Sequence, residues 1–318
     1  MKLNGKGNSL RLSKVQFRVP EPIKNPALDN HLSLPSFTNL ASIIGRSLTV
    51  LGAFAIVFLV QLVLVSHVSQ SSAQFKALET FRYELANGTA PVGQVDAEGK
   101  LLNEGTPVAI IKIEKLGLQQ VVLEGTNSKV TLSGPGHRRD TVLPGQAGIS
   151  VIYGRQAAYG APFANVQSLK AGDKITAITG QGESTYTVTQ IRKAGDEATN
   201  ALGDSKGRLT LVTAAGTPYL PSEVVRVEAT LTSEAFATPN RVIVNGAIPS
   251  AEKTLGSNLD ALTPLIYLTQ LLIVILIFVF WLVKRWGKVQ GWLAGAPVLI
   301  WLGSIWSELV IQLLPNLI

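Results

Sequence analysis

The sequence predicts an all-β barrel, extracytoplasmic, held to a membrane by one N-terminal and two C-terminal transmembrane helices. Three observations lead to this fold class. The 318-residue chain is 46% hydrophobic and 15% charged, whereas globular domains carry about 25% charged residues. Its apolar residues are concentrated in long uncharged runs near both ends. Between those runs, short segments rich in Val, Ile and Thr are separated by Gly, Pro, Asp and Asn, as is typical of strands and turns.

Three apolar runs predict the transmembrane helices. Residues 47–66 and 263–283 carry no formal charge, and about 20 apolar residues suffice for a helix to cross a bilayer. The third run, residues 289–314, is interrupted by glycine, proline and Glu308. An acid within a membrane segment is a candidate functional residue. The alternative, which we favour, is that Glu308 lies near the outer interface.

The excess positive charge lies beside these runs and predicts the topology. Residues 1–46 contain seven basic and two acidic residues, the loop 284–288 adds three basic ones, and residues 47–283 contain equal numbers of each sign. Because basic flanks stay in the cytoplasm, we predict a cytoplasmic tail, a cytoplasmic loop and an external middle domain. A signal peptide cleaved near Ser71-Ser72-Ala73 is the alternative for residues 47–66, although that run is long and starts late. The charge thus predicts a multi-pass plasma-membrane protein with the lipid bilayer as partner, and no nucleic-acid binding.

The middle of the chain divides into a stalk, a barrel and a linker. Residues 67–106 begin with helical spacing and continue as a stalk and linker, and residues 232–262 form a second linker with a candidate strand at 241–244. Between them, residues 107–231 contain short strands with almost no helical period, which favours a closed β-barrel of seven or eight strands. The predicted strands are residues 108–113, 120–123, 148–153, 174–179, 184–193, 208–212 and 224–230.

Six short strings within residues 107–231 resemble the sortases, the membrane-anchored transpeptidases of Gram-positive cell surfaces, and are most similar to classes D and E. They occur in the family's order and spacing. The resemblance implies an eight-stranded barrel, in agreement with the strand count. The strings are GPGH at 134–137, LPGQAG at 143–148, YGAPF at 159–163, AGDKI at 171–175, TYTV at 185–188 and TLVT at 210–213.

The resemblance also implies a mechanism, in which a cysteine attacks the sorting-signal peptide, a histidine transfers protons and an arginine stabilises the oxyanion. Carried over residue by residue, these positions are Ala214, Arg155 and Val224, and a shift of one residue would replace Val224 by Glu223. The chain contains no cysteine. We therefore predict a pseudo-enzyme that has lost sortase-type cysteine transpeptidase activity, and expect no cofactor and no metal site.

Four residues are candidates for a ligand or partner cleft: Arg155, Gln156, Thr213 and Arg226. Arg226 follows Val224 by two positions and shares its side of a strand. If the guanidinium groups of Arg155 and Arg226 both border the cleft, they would bind a carboxylate or an acidic peptide. The alternative is that they pair with Glu223 and Glu228 at the surface. His137 is assigned to turn chemistry.

An intact framework without the family's catalytic side chains predicts a non-catalytic docking or scaffold subunit of a cell-surface complex. Its protein partner would lie at the cell surface or in the membrane. Two alternatives remain open. One is a divergent hydrolase or transpeptidase with non-cysteine chemistry, for example through Thr213. The other is a helper that presents substrate to an active sortase.

Overall fold

The computed structural model describes residues 37–96, 98–193, 195–196, 203 and 206–318. Contacts divide the chain into two compact units, residues 1–50 and residues 51–318. The predicted cytoplasmic tail lies largely outside the described residues. By length and composition, three helical stretches are able to cross a membrane: Ser47–Asn87, Leu259–Trp286 and Lys288–Gln312.

The N-terminal helix changes from apolar to polar where it reaches the barrel. Helix α1 (Phe37–Val60) is followed by a π-helical stretch (Gln61–Val65) and by α2 (Ser66–Asn87). The α2 side chain of Gln74 accepts a 2.7 Å hydrogen bond from the Val121 amide and donates a 3.1 Å hydrogen bond to the Val121 carbonyl. The half-buried Gln74 side chain therefore attaches α2 to the barrel by pairing with main-chain groups of β2.

Eight strands close into a barrel in the order β1-β2-β3-β4-β7-β8-β6-β5, which confirms the predicted fold class. A short helix, α3, lies between β2 and β3. The candidate strand at 241–244 is absent, since those residues form bends. The elements are β1 Pro107–Ile113, β2 Leu118–Glu124, α3 Ser128–Thr131, β3 Gly136–His137, β4 Gly148–Tyr153, β5 Lys174–Thr179, β6 Gly182–Arg192, β7 Gly207–Thr217 and β8 Leu220–Leu231.

Alternation along β7 and β8 produces two separate apolar clusters. Because successive side chains of a strand point to opposite faces, one set fills the barrel and the next set lies outside it. The inward set includes Leu209, Leu211, Val227 and Ala229, each with no measurable exposure. The outward set is also buried and comprises Val212, Ala214 and Val224, together with Tyr153 and Leu317.

The C-terminal helices α4 (Leu262–Trp286) and α5 (Lys288–Gln312) pack closely against each other through glycine. A Cβ atom at Gly295 would lie 2.5 Å from the Val279 side chain, so no larger residue fits at this crossing without displacing a helix. Small residues bring helix backbones close together in the same way within membranes. The side chain of Glu308 on α5 is exposed.

The buried pair Glu124 and His137 joins β2 to β3. These residues are opposite each other in the parallel register, and His137 Nδ1 lies 2.8 Å from Glu124 Oε2. Burial by itself lowers the pKa of His137, but attraction and hydrogen bonding to Glu124, with a hydrogen bond to the Val142 carbonyl, raise that pKa overall. His137 therefore holds the barrel together, beyond the turn chemistry that the sequence predicts.

This pair predicts a pH dependence of barrel stability. A histidine with a raised pKa in the folded state stabilises fully below its unfolded pKa of about 6.5, and the stabilisation is lost as pH rises through the raised value. Substitution Glu124→Gln should abolish this pH-dependent part of the free energy of unfolding. Substitution Glu183→Gln, at an exposed position of β6, should retain it. Urea titrations at several pH values, read by pulsed proteolysis of the barrel, measure the free energy of unfolding of both variants. Equal pH profiles for the two variants would contradict the assignment.

Candidate functional site

The candidate site is a cleft on the outer face of β4, β7 and β8. Ala214 on β7 and Val224 on β8 are register partners, so the positions that the resemblance assigns to the cysteine and the arginine are direct neighbours. Tyr153 at the end of β4 is paired with Val212 of β7. The base of the cleft is consequently apolar, and it is formed by side chains that the strand alternation turns away from the barrel interior.

Residues of the same chain fill this cleft. After α5 ends, the chain turns and runs across the cleft, and Leu317 joins the apolar cluster with no exposed surface. The amide of Gln156 donates a 3.0 Å hydrogen bond to the Leu317 carbonyl. The Arg155 guanidinium donates through Nη1 to the main-chain oxygen of Ile318. The cleft therefore binds a peptide backbone by two consecutive carbonyl oxygens.

Asn316 anchors the segment on its other side. Its side-chain Nδ2 donates to the carbonyl oxygens of Thr126 at 2.6 Å and Lys253 at 3.0 Å, with Ala251 O at 3.5 Å. Its amide donates a 3.0 Å hydrogen bond to Gly256 O. The side chain is completely buried, and its Oδ1 has no hydrogen-bond partner among the described residues. The surroundings of Asn316 are thus selective for a hydrogen-bond donor.

Residues 250–256 form the outer wall over this segment. They belong to the predicted linker 232–262, but several of them are bonded to the barrel. Thr126 Oγ1 donates a 2.6 Å hydrogen bond to Glu252 O, and the hydroxyls of Tyr153 and Thr254 lie 2.6 Å apart. The segment 314–318 is therefore enclosed between the barrel and this wall.

Arg155 is a buried cation whose described partners are main-chain oxygens and one hydroxyl. It has no exposed surface, and Nη2 lies 3.3 Å from Ser128 O and 3.4 Å from Ser128 Oγ. Its guanidinium lies 5.7 Å from the centre of the Tyr159 ring. No Asp or Glu side chain in the described part of the chain pairs with it. Burial lowers the pKa of Arg155 to about 10, so it stays protonated at neutral pH and acts as a hydrogen-bond donor.

Of the remaining candidate residues, Thr213 lies away from the cleft, whereas Arg226 lies on the same outer face and is the register partner of Val212. Thr213 is on the face of β7 opposite to Ala214, is fully buried and donates a 2.9 Å hydrogen bond to Gly154 O. Arg226 is on the outer face of β8 and shares no described hydrogen-bond partner with Arg155. Among the described ion pairs, Glu223 pairs with Lys193 at 2.8 Å and Glu228 with Arg192 at 2.5 Å.

Sequence reasoning missed the segment 314–318 as part of the site. The only signal was the end of the apolar run 289–314, where Pro315 and Asn316 interrupt it. Proline ends a helix because it lacks an amide hydrogen and clashes with the preceding turn. That signal predicts where the helix stops, but it does not predict where the following residues bind.

Comparison with known proteins supports the family resemblance. Residues 111–231 match the family model described as the sortase domain. This part of the chain is a sortase-like domain. A curated relative, Sortase D of Bacillus subtilis strain 168, is 28% identical over 111 residues, which are 34% of this chain and 54% of the relative. The chain thus spans about half the length of that relative.

Solved sortase structures are also similar to the sortase-like domain. The Sortase D5 transpeptidase of Clostridium perfringens is 24% identical, with 51% of this chain and 99% of that chain covered and a TM-score of 0.42. Sortase C of Clostridium perfringens SM101 is 24% identical, with 52% and 90% covered and a TM-score of 0.37.

These comparisons contradict the prediction that the chain is not an enzyme. The sortase-like domain matches the sortase family model and a protein named Sortase D. The lack of cysteine in the sequence is consistent with lost activity but does not establish it. The prediction of a pseudo-enzyme is therefore wrong.

The buried contacts of Arg155 predict how firmly the segment is held. Substitution Arg155→Met removes the guanidinium donors to Ile318 and Ser128, although Ser128 O keeps the hydrogen bonds from the Leu132 amide and Thr131 Oγ1. We expect amide hydrogen exchange in residues 313–318 to accelerate about tenfold, which corresponds to about 1.4 kcal/mol and is close to the lower end of the range of about 1.5–3 kcal/mol for a hydrogen bond to a charged group. Mass spectrometry of the exchanged peptides measures this.

The matched control is Arg82→Met, at an exposed position on α2. This variant should leave exchange in residues 313–318 unchanged. Equal exchange in both variants and in the unmodified protein would show that Arg155 does not hold the segment.

Proposed function

We propose that the chain is a membrane-anchored docking subunit of a cell-surface complex, in which the sortase-like domain binds an extended peptide. One observation carries this proposal. The cleft on β4, β7 and β8 binds the backbone of Leu317 and Ile318 through the Gln156 amide and the Arg155 guanidinium. A surface that recognises an extended backbone and one apolar side chain is suited to a peptide segment of a partner protein.

The base of the cleft determines which side chain it accommodates. Ala214 and Val224 are small, and together with Tyr153 and Val212 they surround Leu317 completely. A branched aliphatic side chain fills this space without a polar partner. Burying a side chain of this size is worth about 1.5–3 kcal/mol, so the pocket adds affinity to the two main-chain hydrogen bonds.

The proposed location is the outer surface of the plasma membrane. Three helices long and apolar enough to span a membrane support anchoring. The basic residues of the N-terminal region and of the loop 284–288 favour a cytoplasmic position for these segments. The barrel between them would then face outward, where the surface proteins of the complex are exposed.

The comparisons favour a second candidate function, the transfer or hydrolysis of a surface peptide. Similarity to a Sortase D supports it. The hydroxyl of Thr213, however, lies on the face of β7 opposite to the cleft and donates to Gly154 O, and an unactivated hydroxyl is a poor nucleophile. Incubation of the full-length protein with surface-protein peptides, followed by mass spectrometry, separates this candidate from docking alone, because only a peptide-transferring or hydrolysing protein changes the mass of the peptide.

Site-specific photo-cross-linking in native membranes tests the docking function. A photoreactive residue in place of Tyr219, exposed in the turn between β7 and β8, should capture a surface-protein peptide, because Gly216 in the same hairpin contacts Gln156 of the cleft. The same residue in place of Leu101, exposed at the end of the stalk, should not. The adduct is identified by mass spectrometry. Identical adducts at both positions, or none at Tyr219 even when Leu317→Asp is present in the same chain, would contradict docking through this cleft.

A further inference from the structure

We propose that residues 314–318 are a built-in ligand of the cleft, recognised through the Asn316 carboxamide and the Leu317 side chain. An external peptide then binds only when this segment leaves. This inference rests on the proposed docking function and adds to it the chemistry of the ligand: a carboxamide followed by a branched aliphatic residue, on an extended backbone. Three features of the structure support it.

The first feature is a subsite made of carbonyl oxygens. The two hydrogens of Asn316 Nδ2 face Thr126 O at 2.6 Å and Lys253 O at 3.0 Å, with Ala251 O at 3.5 Å. A carboxamide nitrogen is a donor, and a carboxylate has acceptors only. Aspartate at position 316 would place two anionic oxygens against these carbonyl groups in a fully buried space. The subsite therefore selects asparagine strongly over aspartate.

The second feature is where the contacts to the segment come from. The barrel and residues 250–256 provide them, and each subsite holds a single residue of the segment. Ser128 Oγ donates a 2.8 Å hydrogen bond to Leu314 O, and the amide of Gln156 donates to Leu317 O at 3.0 Å. At both positions a main-chain oxygen is bound, and at Leu317 the side chain is bound as well. A separate peptide with the same side chains could make each of these contacts.

The third feature is the tether to α5. The amide of Asn258 donates a 3.1 Å hydrogen bond to Gln312 O at the end of α5, so the segment starts from a fixed point beside the cleft. A ligand attached by a short tether has an effective concentration of about millimolar. A separate peptide at micromolar concentration therefore competes poorly until the segment is released.

The test measures binding of a fluorescent synthetic peptide, Gln-Leu-Leu-Pro-Asn-Leu-Ile, to the full-length protein in detergent by fluorescence anisotropy. Release of the segment by Asn316→Asp or Leu317→Asp should tighten binding at least about tenfold. The apparent affinity is proportional to the fraction of molecules whose cleft is free, and release raises that fraction. The matched controls Asn103→Asp and Leu101→Asp, both at exposed positions, should bind like the unmodified protein. A peptide with aspartate in place of asparagine should not bind to the released variants.

Hydrogen exchange in β1 and β5 shows whether each variant retains the folded barrel. If the barrel of Leu317→Asp is unfolded, the Asn316→Asp variant decides the test. Equal peptide affinity in the unmodified protein and a folded release variant would overturn the built-in ligand and leave docking intact. No binding by any folded variant would overturn the proposed ligand chemistry, while the cross-linking at Tyr219 would still decide docking separately. Equal binding of the asparagine and aspartate peptides would overturn the role of the carbonyl subsite.

Discussion

The burial of Arg155 is the constraint on which the cleft depends. A guanidinium withdrawn from water carries a large desolvation cost, which only well-placed acceptors offset. The described part of the chain provides no Asp or Glu side chain for it, and the acceptors are the main-chain oxygen of Ile318 and both oxygens of Ser128. One cation thus ties together α3, the strand end at β4 and the segment that follows α5. Removal of the segment would leave Arg155 buried with fewer partners or expose it to water.

The membrane helices and the barrel are connected by polar contacts at both ends of the chain. On α2, Gln70 and Gln74 reach strand β2 and its neighbouring loop. After α5, the segment 314–318 reaches α3 and the cleft. Because buried polar groups need partners, these side chains fix where each helix meets the barrel. A movement of α5 would consequently be transmitted to the occupant of the cleft.

Much of the fold could be predicted from the sequence, because seven strands show alternation or β-branched runs between turn residues. β3 could not, since it consists of Gly136 and His137 only and two residues carry no period. Within the site, the family strings located Ala214, Arg155 and Val224. Thr213 was placed with the cleft although it is adjacent to Ala214, and strand alternation turns neighbouring residues to opposite faces. The contact of Arg155 with Ile318 joins residues 163 positions apart, and no local pattern indicates such a pairing.

The most direct test of the account is whether position 317 lies against position 214 in the membrane. The chain has no cysteine, so a pair of introduced thiols, Ala214→Cys with Leu317→Cys, reports this contact without background. A short bifunctional thiol reagent should give an intramolecular cross-link in native membranes, detected by mass spectrometry, while Ala214→Cys with Leu101→Cys should give none. If the first pair is labelled as two separate thiols and never cross-linked, the segment 314–318 does not occupy the cleft.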